Sequence, residues 1–220
     1  MKRINQGLCL IDRNYFYTKY AEEFNQLTEE TKNDLEIIFS GIENYETSKG
    51  GAFTKNQIAY ILATIRHETG NFKPVKEYFW GSESSRKKYF EEHYDPILAT
   101  TEARRKNAKK YGNTTQGDGV KYSGRGFVQI TWKSNYKKVS TKFGNDFVSH
   151  PDLALLPKHS IQITLYGFDS GMFTGKNIHD FINQNQTDYY NARKVINGLD
   201  KAEQIKVYAE KFEKCLKIEK

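Results

Sequence analysis

Two glutamates carry the types and spacing that could do chemistry. Glu68 follows Ile61 by seven residues and Ile65 by three. A helix through this stretch therefore puts the Glu68 carboxyl on the apolar face. The position is also the last turn before Gly70, where the partial negative charge of the helix end disfavours a second negative charge. Both effects favour a neutral carboxyl, which is what a general acid needs. The alternative is a helix-end glutamate paired with Arg66 or a lysine. Glu77 lies nine residues further on, past Gly70 and Pro74. A loop of that length can fold back and set a second carboxyl across a cleft from the first, the arrangement of glycosidases. The alternative is a surface glutamate beside Lys73 and Lys76.

A third cluster is Tyr122-Ser123-Gly124-Arg125-Gly126-Phe127-Val128-Gln129-Ile130-Thr131. Glycines on both sides of Arg125 permit a tight turn that aims its guanidinium. Phe127 to Thr131 reads as extended, with Gln129 and Thr131 on one side and Val128 and Ile130 on the other. Thr131 is also placed to cap the helix that follows. Other chemistries lack their residues. His67-Glu68 is followed by Asn71 where a metalloprotease needs a second histidine, and no GK[ST] loop or G-x-S-x-G elbow occurs. The five histidines show no metal-ligand spacing. No metal and no cofactor are expected.

The elements that must position these residues are mostly helices. Leu35, Ile38, Phe39 and Ile42 have helical spacing, with Thr28 as a cap. After Gly50-Gly51, Thr54 to Gln57 reads as a capping box, with Phe53 and Ile58 as its staple. Ser84 to Tyr111 reads as helical with a break before Pro96, and Gly112 to Gly126 as a polar loop. Trp132, Tyr136, Val139 and Phe143 mark one helix, and Ile161, Leu165 and Phe168 the next. A last helix, capped by Asp200, carries Ile205, Tyr208, Ala209, Phe212 and Leu216. Residues 1–220 read as a single mainly α domain with at most a small β element. Within it, 1–50 form an N-terminal helical part and 51–220 the motif-bearing core.

The 220 residues are 37% hydrophobic, 14% aromatic and 28% charged, with a mean hydropathy of −0.77. That suits a polar globular chain and excludes disorder. The basic start Met1-Lys2-Arg3 precedes only Leu8-Cys9-Leu10-Ile11, short of the roughly 7–15 apolar residues of a signal peptide. A cytoplasmic origin is expected. Cys9 and Cys215 read as free thiols. Between Thr101 and Lys142, eleven Lys and Arg face two acids, a net +9, against +7 for the whole chain. That one-sided charge suits a polyanion: an anionic cell envelope, a membrane or a nucleic acid.

Four stretches together resemble glycoside hydrolase family 19, which holds plant-type chitinases and many phage or bacterial endolysins. They are Ile65-Arg-His-Glu-Thr-Gly70, Pro74-Val-Lys-Glu77, Tyr122 to Tyr136, and Asn191 to Gly198. They occur in the family's order, from about Gln57 to Leu216. The short interval between the two glutamates is closer to the endolysin branch. The resemblance implies a lysozyme-like helical fold. It also implies an inverting reaction on β-1,4 bonds, with the carboxyls roughly 6.5–9.5 Å apart. It makes Glu68 the general acid, Glu77 the general base and Thr131 a holder of the attacking water. Gln129, Asn135 and Asn197 would contact the sugar. His67, Tyr122 and Arg125 belong to the motifs, Arg125 as a brace for carboxylates. In the chitinase members an arginine on the last helix joins the catalytic ion network. Here nothing after Arg193 is arginine, and Lys201 or Gln204 stands nearby. The chitinases' disulfides cannot form here.

The expected substrate is peptidoglycan, with chitin as the alternative. The basic segment 101–142 would serve the anionic envelope, and the chain is expected to be a monomer without nucleic acid. Such a lysin would wait in the host cytoplasm before release to the wall. The competing class is a wall- or nucleic-acid-binding domain without catalysis.

Overall fold

The computed structural model describes residues 10–77 and 81–219. Cys9 and the basic start of the chain lie outside them. Helices dominate, and the strands come as two short antiparallel pairs. The chain divides into two compact units: residues 1–73 with 161–220, and residues 74–160.

The first unit opens with β1 (Leu10–Ile11), α1 (Arg13–Glu23), α2 (Glu29–Lys49) and α3 (Lys55–Thr69). Thr28 caps α2 through its side chain, and Gly50, at φ 73°, ends it. Thr54 and Gln57 form the expected reciprocal capping box at the start of α3. Ile58 to Ile65 are all buried, so α3 is apolar on every face, as a central helix must be. It packs on a final helix, Ala202–Cys215, which also meets α1 and leads to a strand, Ile218–Glu219, paired with β1. Phe16, Tyr20, Phe39, Phe72 and Phe212 are fully buried around this packing. The Arg66 guanidinium lies over the Phe24 ring, 4.4 Å from its centroid, and donates to the Tyr20 hydroxyl.

The second unit runs through β2 (Val75–Lys76), α4 (Glu83–Tyr94), α5 (Glu102–Lys110), the short α6 (Asp118–Lys121) and β3 (Arg125–Gly126). It continues into α7 (Lys133–Phe143) and a 3-10 turn, Pro151–Leu155. Strands β2 and β3 pair antiparallel, Val75 opposite Gly126 and Lys76 opposite Arg125. Two buried acids organise the loops. Asp95 accepts from the backbone N–H groups of Ile97, Leu98 and Gly117. Asp118 accepts from those of Thr114 and Thr115 and from Lys133. Burial alone would raise the Asp118 pKa, but these donors outweigh it and hold it below the usual range. Helix α8 (Pro157–Ser170) follows, carrying buried Ile161, Leu165 and Phe168, and the final helix is α9, paired through β4 (Ile218–Glu219).

Four local expectations change. Gly112 to Gly126, read as a polar loop, holds α6 and β3, and residues 122–126 are buried. Phe127 to Thr131 is a tight turn rather than a strand: Arg125 and Ile130 exchange both backbone hydrogen bonds, and Gln129 has φ 51°. Phe127, Val128 and Ile130 are buried while Gln129 and Thr131 are half-buried, so the turn still separates the apolar pair from the polar one. Thr131 does not cap α7. Its hydroxyl donates to the Gln129 carbonyl, while the Asn113 side chain and the Tyr111 carbonyl take the N–H groups of Lys133 and Ser134. Asp200 does not cap α9 either. The cap position is Lys201, in the left-handed region at φ 59°, with no side-chain bond.

Candidate active site

Glu68 sits in the last turn of α3, as the spacing indicates, but its partner is neither Arg66 nor a lysine. Arg193 donates from Nη1 to Glu68 Oε1 at 2.8 Å. Arg193 comes from a 3-10 helix, Asn191–Val195, which Asp188 starts by accepting the Asn191 N–H at 2.9 Å. Ala192 and Val195 anchor that turn in the core. The Arg193 side chain is 5% exposed and that of Glu68 18%, so the cation is sealed while the carboxyl keeps an open edge. Nε of Arg193 donates to the Asp200 carbonyl at 3.1 Å, which fixes the plane of the fork. The cation beside Glu68 therefore comes from this 3-10 helix and not from α9. The signal was available, because Arg193 lies inside the fourth motif and is the last arginine of the chain.

His67, beside Glu68, is half-buried. Burial lowers its pKa below the ordinary 6.5, with the charges of Arg193 and Lys201 adding and that of Glu68 opposing. Asn197 is exposed, one turn beyond Arg193, and its N–H donates to the Arg193 carbonyl at 3.0 Å. Glu68, His67, Arg193 and Asn197 thus belong to one group in the first unit.

Glu77, in the second unit, pairs with neither neighbouring lysine. Lys73 bonds to Glu30, and Lys76 bonds to Asp152. The Glu77 backbone N–H donates to the Gly124 carbonyl at 2.8 Å, extending the β2–β3 pairing by one residue. The return bond reaches the side chain instead: the Gly124 N–H donates to Glu77 Oε2 at 2.9 Å. The Tyr94 hydroxyl stands 3.4 Å from Oε1. Burial and the Glu77 charge hold the Tyr94 phenol protonated far above its usual range.

Gln129 is oriented by two bonds from Nε2, to the carbonyls of Val75 and Gly126. Its Oε1 is buried without a hydrogen-bond partner among the described residues. Asn135 donates to the Thr131 carbonyl at 2.9 Å and accepts from Lys138 at 3.3 Å. Thr131, Gln129 and Asn135 therefore form one hydrogen-bonded run.

Arg125 and Tyr122 point inward. The Arg125 guanidinium binds Asp152 at 2.6 Å and the carbonyls of Lys121 and Ser123, so the carboxylate it braces is Asp152. Burial would raise the Asp152 pKa, but Lys76 and Arg125 pull it below the usual range. The Tyr122 hydroxyl donates to the Val148 carbonyl and its ring is buried. The glycines beside Arg125 serve different ends. Gly126 has φ 86°, and a Cβ there would lie 2.7 Å from the Ser160 hydroxyl oxygen. Gly124 supplies space, discussed below.

Residues 38–180 match the model of the family 19 glycoside hydrolases described as chitinase class I. The chain belongs to glycoside hydrolase family 19. A curated relative from Haemophilus influenzae, a glycosyl hydrolase family 19 domain-containing protein, is 37% identical over 114 residues. That match covers 46% of this chain and 56% of the relative, so the chain spans little more than half of the relative's length. Chitinase C from Streptomyces griseus superposes with a TM-score of 0.56 at 21% identity, over 89% of this chain and 88% of that one. A mutant of chitinase C gives 0.51 at 19% identity, over 91% of each. At these identities the likeness establishes a shared mainly α, lysozyme-like fold.

Proposed function

We propose that this family 19 protein is an endolysin-type hydrolase that cleaves β-1,4 bonds of peptidoglycan with inversion. In this reading Glu68 protonates the departing glycosidic oxygen, and Glu77 takes a proton from the water that attacks the anomeric carbon. Thr131 holds that water, Gln129 and Asn135 meet the N-acetyl group, and Asn197 lies on the substrate side. His67 stands beside the acid, while Tyr122 and Arg125 brace the buried turn that carries Gln129 and Thr131.

The observation that carries the reading is the set of partners. Glu68 has a buried arginine, and Glu77 has a backbone N–H and a phenol, while Lys73 and Lys76 are spent on other acids. Peptidoglycan is favoured by the basic segment, of which Lys106, Lys109, Lys110, Lys121, Lys137, Lys138 and Lys142 are exposed. The ring of Tyr111, which follows α5, stacks on Trp132, before α7, at 5.1 Å. This joins the basic end of α5 to the start of α7. The likeness to chitinase C favours chitin as the second reading.

The test is digestion of purified peptidoglycan and of chitin oligomers, with mass spectrometry of the new reducing ends and NMR of the anomer first formed. We expect N-acetylhexosamine ends from peptidoglycan as the α-anomer, and a bell-shaped pH profile. Glu68→Gln should lose about 10²–10⁴-fold. Full clearing of walls by Glu68→Gln, or a β-anomer as first product, would end this reading.

A further inference from the structure

The two carboxylate oxygens of Glu77 are treated differently by the fold. Oε2 accepts the Gly124 N–H at 2.9 Å, while Oε1 has the Tyr94 hydroxyl at 3.4 Å. A Cβ on Gly124 would lie 2.9 Å from Glu77 Oε2, 3.2 Å from Glu77 Cβ and 2.8 Å from Gln129 Oε1. The carboxylate can approach the Gly124 backbone this closely because that residue has no side chain. Gly124 is buried, and its carbonyl accepts the Glu77 N–H in the same exchange.

On the other side, Tyr94 ends α4, and its ring packs 5.1 Å from that of Trp132. Trp132 holds φ 76°, a region where a bulky side chain is strained. Its N–H is tied to the Tyr122 carbonyl at 3.0 Å, and Tyr111 stacks on its ring. The strained Trp132 thereby backs the ring of Tyr94.

We propose that Gly124 and Tyr94 are positioning residues that clamp Glu77, with Gly124 holding Oε2 and Tyr94 gauging the position of Oε1, the oxygen that receives the proton. The proposal rests on Glu77 being the general base. In the step it serves, a water O–H bond breaks and its proton passes to Oε1. The water oxygen bonds the anomeric carbon, and the departing glycosidic oxygen takes the proton of Glu68.

The experiment is a double-mutant cycle on chitin or peptidoglycan fragments, with folding checked by thermal melts. Gly124→Ala should lower kcat by about 10²-fold with KM nearly unchanged, the scale of a base displaced by about 1 Å. The same substitution should cost nothing further in a Glu77→Gln background. Equal losses in both backgrounds would overturn the proposal, because Gly124 would then act elsewhere. A Glu77→Gln protein with undiminished activity would instead remove the base assignment itself. Tyr94→Phe keeps the ring and decides the matter if Gly124→Ala does not fold. It should lower kcat several-fold with KM nearly unchanged in the parent protein, and cost nothing further in the Glu77→Gln background. Equal losses from Tyr94→Phe in both backgrounds would overturn the clamp.

Discussion

Side chains beside Glu68 have consequences for stability as well as for chemistry. Arg193 is a sealed cation whose carboxylate partner is mostly covered. Removing one member of such a pair leaves the other charge uncompensated, at roughly 3–5 kcal/mol for fully buried cases. The open edge of Glu68 puts Arg193→Met near the lower figure. We expect a loss of about 3 kcal/mol and a drop in Tm of roughly 6–12 °C, read by calorimetry. A change under 2 °C would mean that the pair is solvated. His67 gives a pH prediction. Its folded pKa lies below 6.5 because of burial, so between the two values the unfolded chain binds more protons than the folded one. Stability therefore falls as pH drops through about 6.5 and levels off below the folded value. His67→Gln should flatten that part of a plot of denaturant midpoint against pH. A slope identical to that of the parent protein would assign it to other groups.

Helix ends and close approaches set the element scale. The Thr54–Gln57 box satisfies two N–H groups that α3 would otherwise leave unpaired. Thr54→Ala should cost about 1 kcal/mol, seen as a lowered urea midpoint at unchanged slope. At Gly119 in α6, a Cβ would lie 2.7 Å from the Asp95 N and 2.8 Å from the Phe90 carbonyl. These are backbone atoms that no rotamer can move. Gly119→Ala should destabilise by about 1–3 kcal/mol, and a neutral result in the same urea assay would show that α4 and α6 can part. The capping box, the Thr28 cap and the buried α8 stripe were legible because each depends on residues within one turn or one helix face. The starts of α7 and α9 were not legible. Tyr111 and Asn113, some twenty residues upstream, take the first N–H groups of α7, and a lysine in the left-handed region begins α9.

At the scale of the molecule the charge distribution makes the prediction. Fields from exposed lysines are screened within about 10 Å at 0.1 M salt. Changing Lys106, Lys109 and Lys137 together to Gln should weaken co-sedimentation with cell walls and reduce its salt dependence. Turnover of a short uncharged oligosaccharide should stay the same. Equal losses on both substrates would place these lysines nearer the chemistry. Cys215 reports on the first unit as a whole. It is buried and free, and burial pushes its thiol up to about 12. In a Cys9→Ser chain, labelling of Cys215 by a thiol reagent should proceed no faster than unfolding.

The sequence by itself determined the helices, their principal caps, the family and the candidacy of Glu68 and Glu77. Those signals are periodic, local or carried by motifs that stay contiguous in the chain. Only the tertiary structure decided what each carboxyl touches. Arg193 reaches Glu68 across 125 positions of sequence, and Gly124 reaches Glu77 across 47. Tertiary packing also made Phe127 to Thr131 a tight turn in place of the extended segment that the alternation indicates. Contacts at such separations leave no trace in spacing, because what brings them together is the burial of apolar faces elsewhere in the fold.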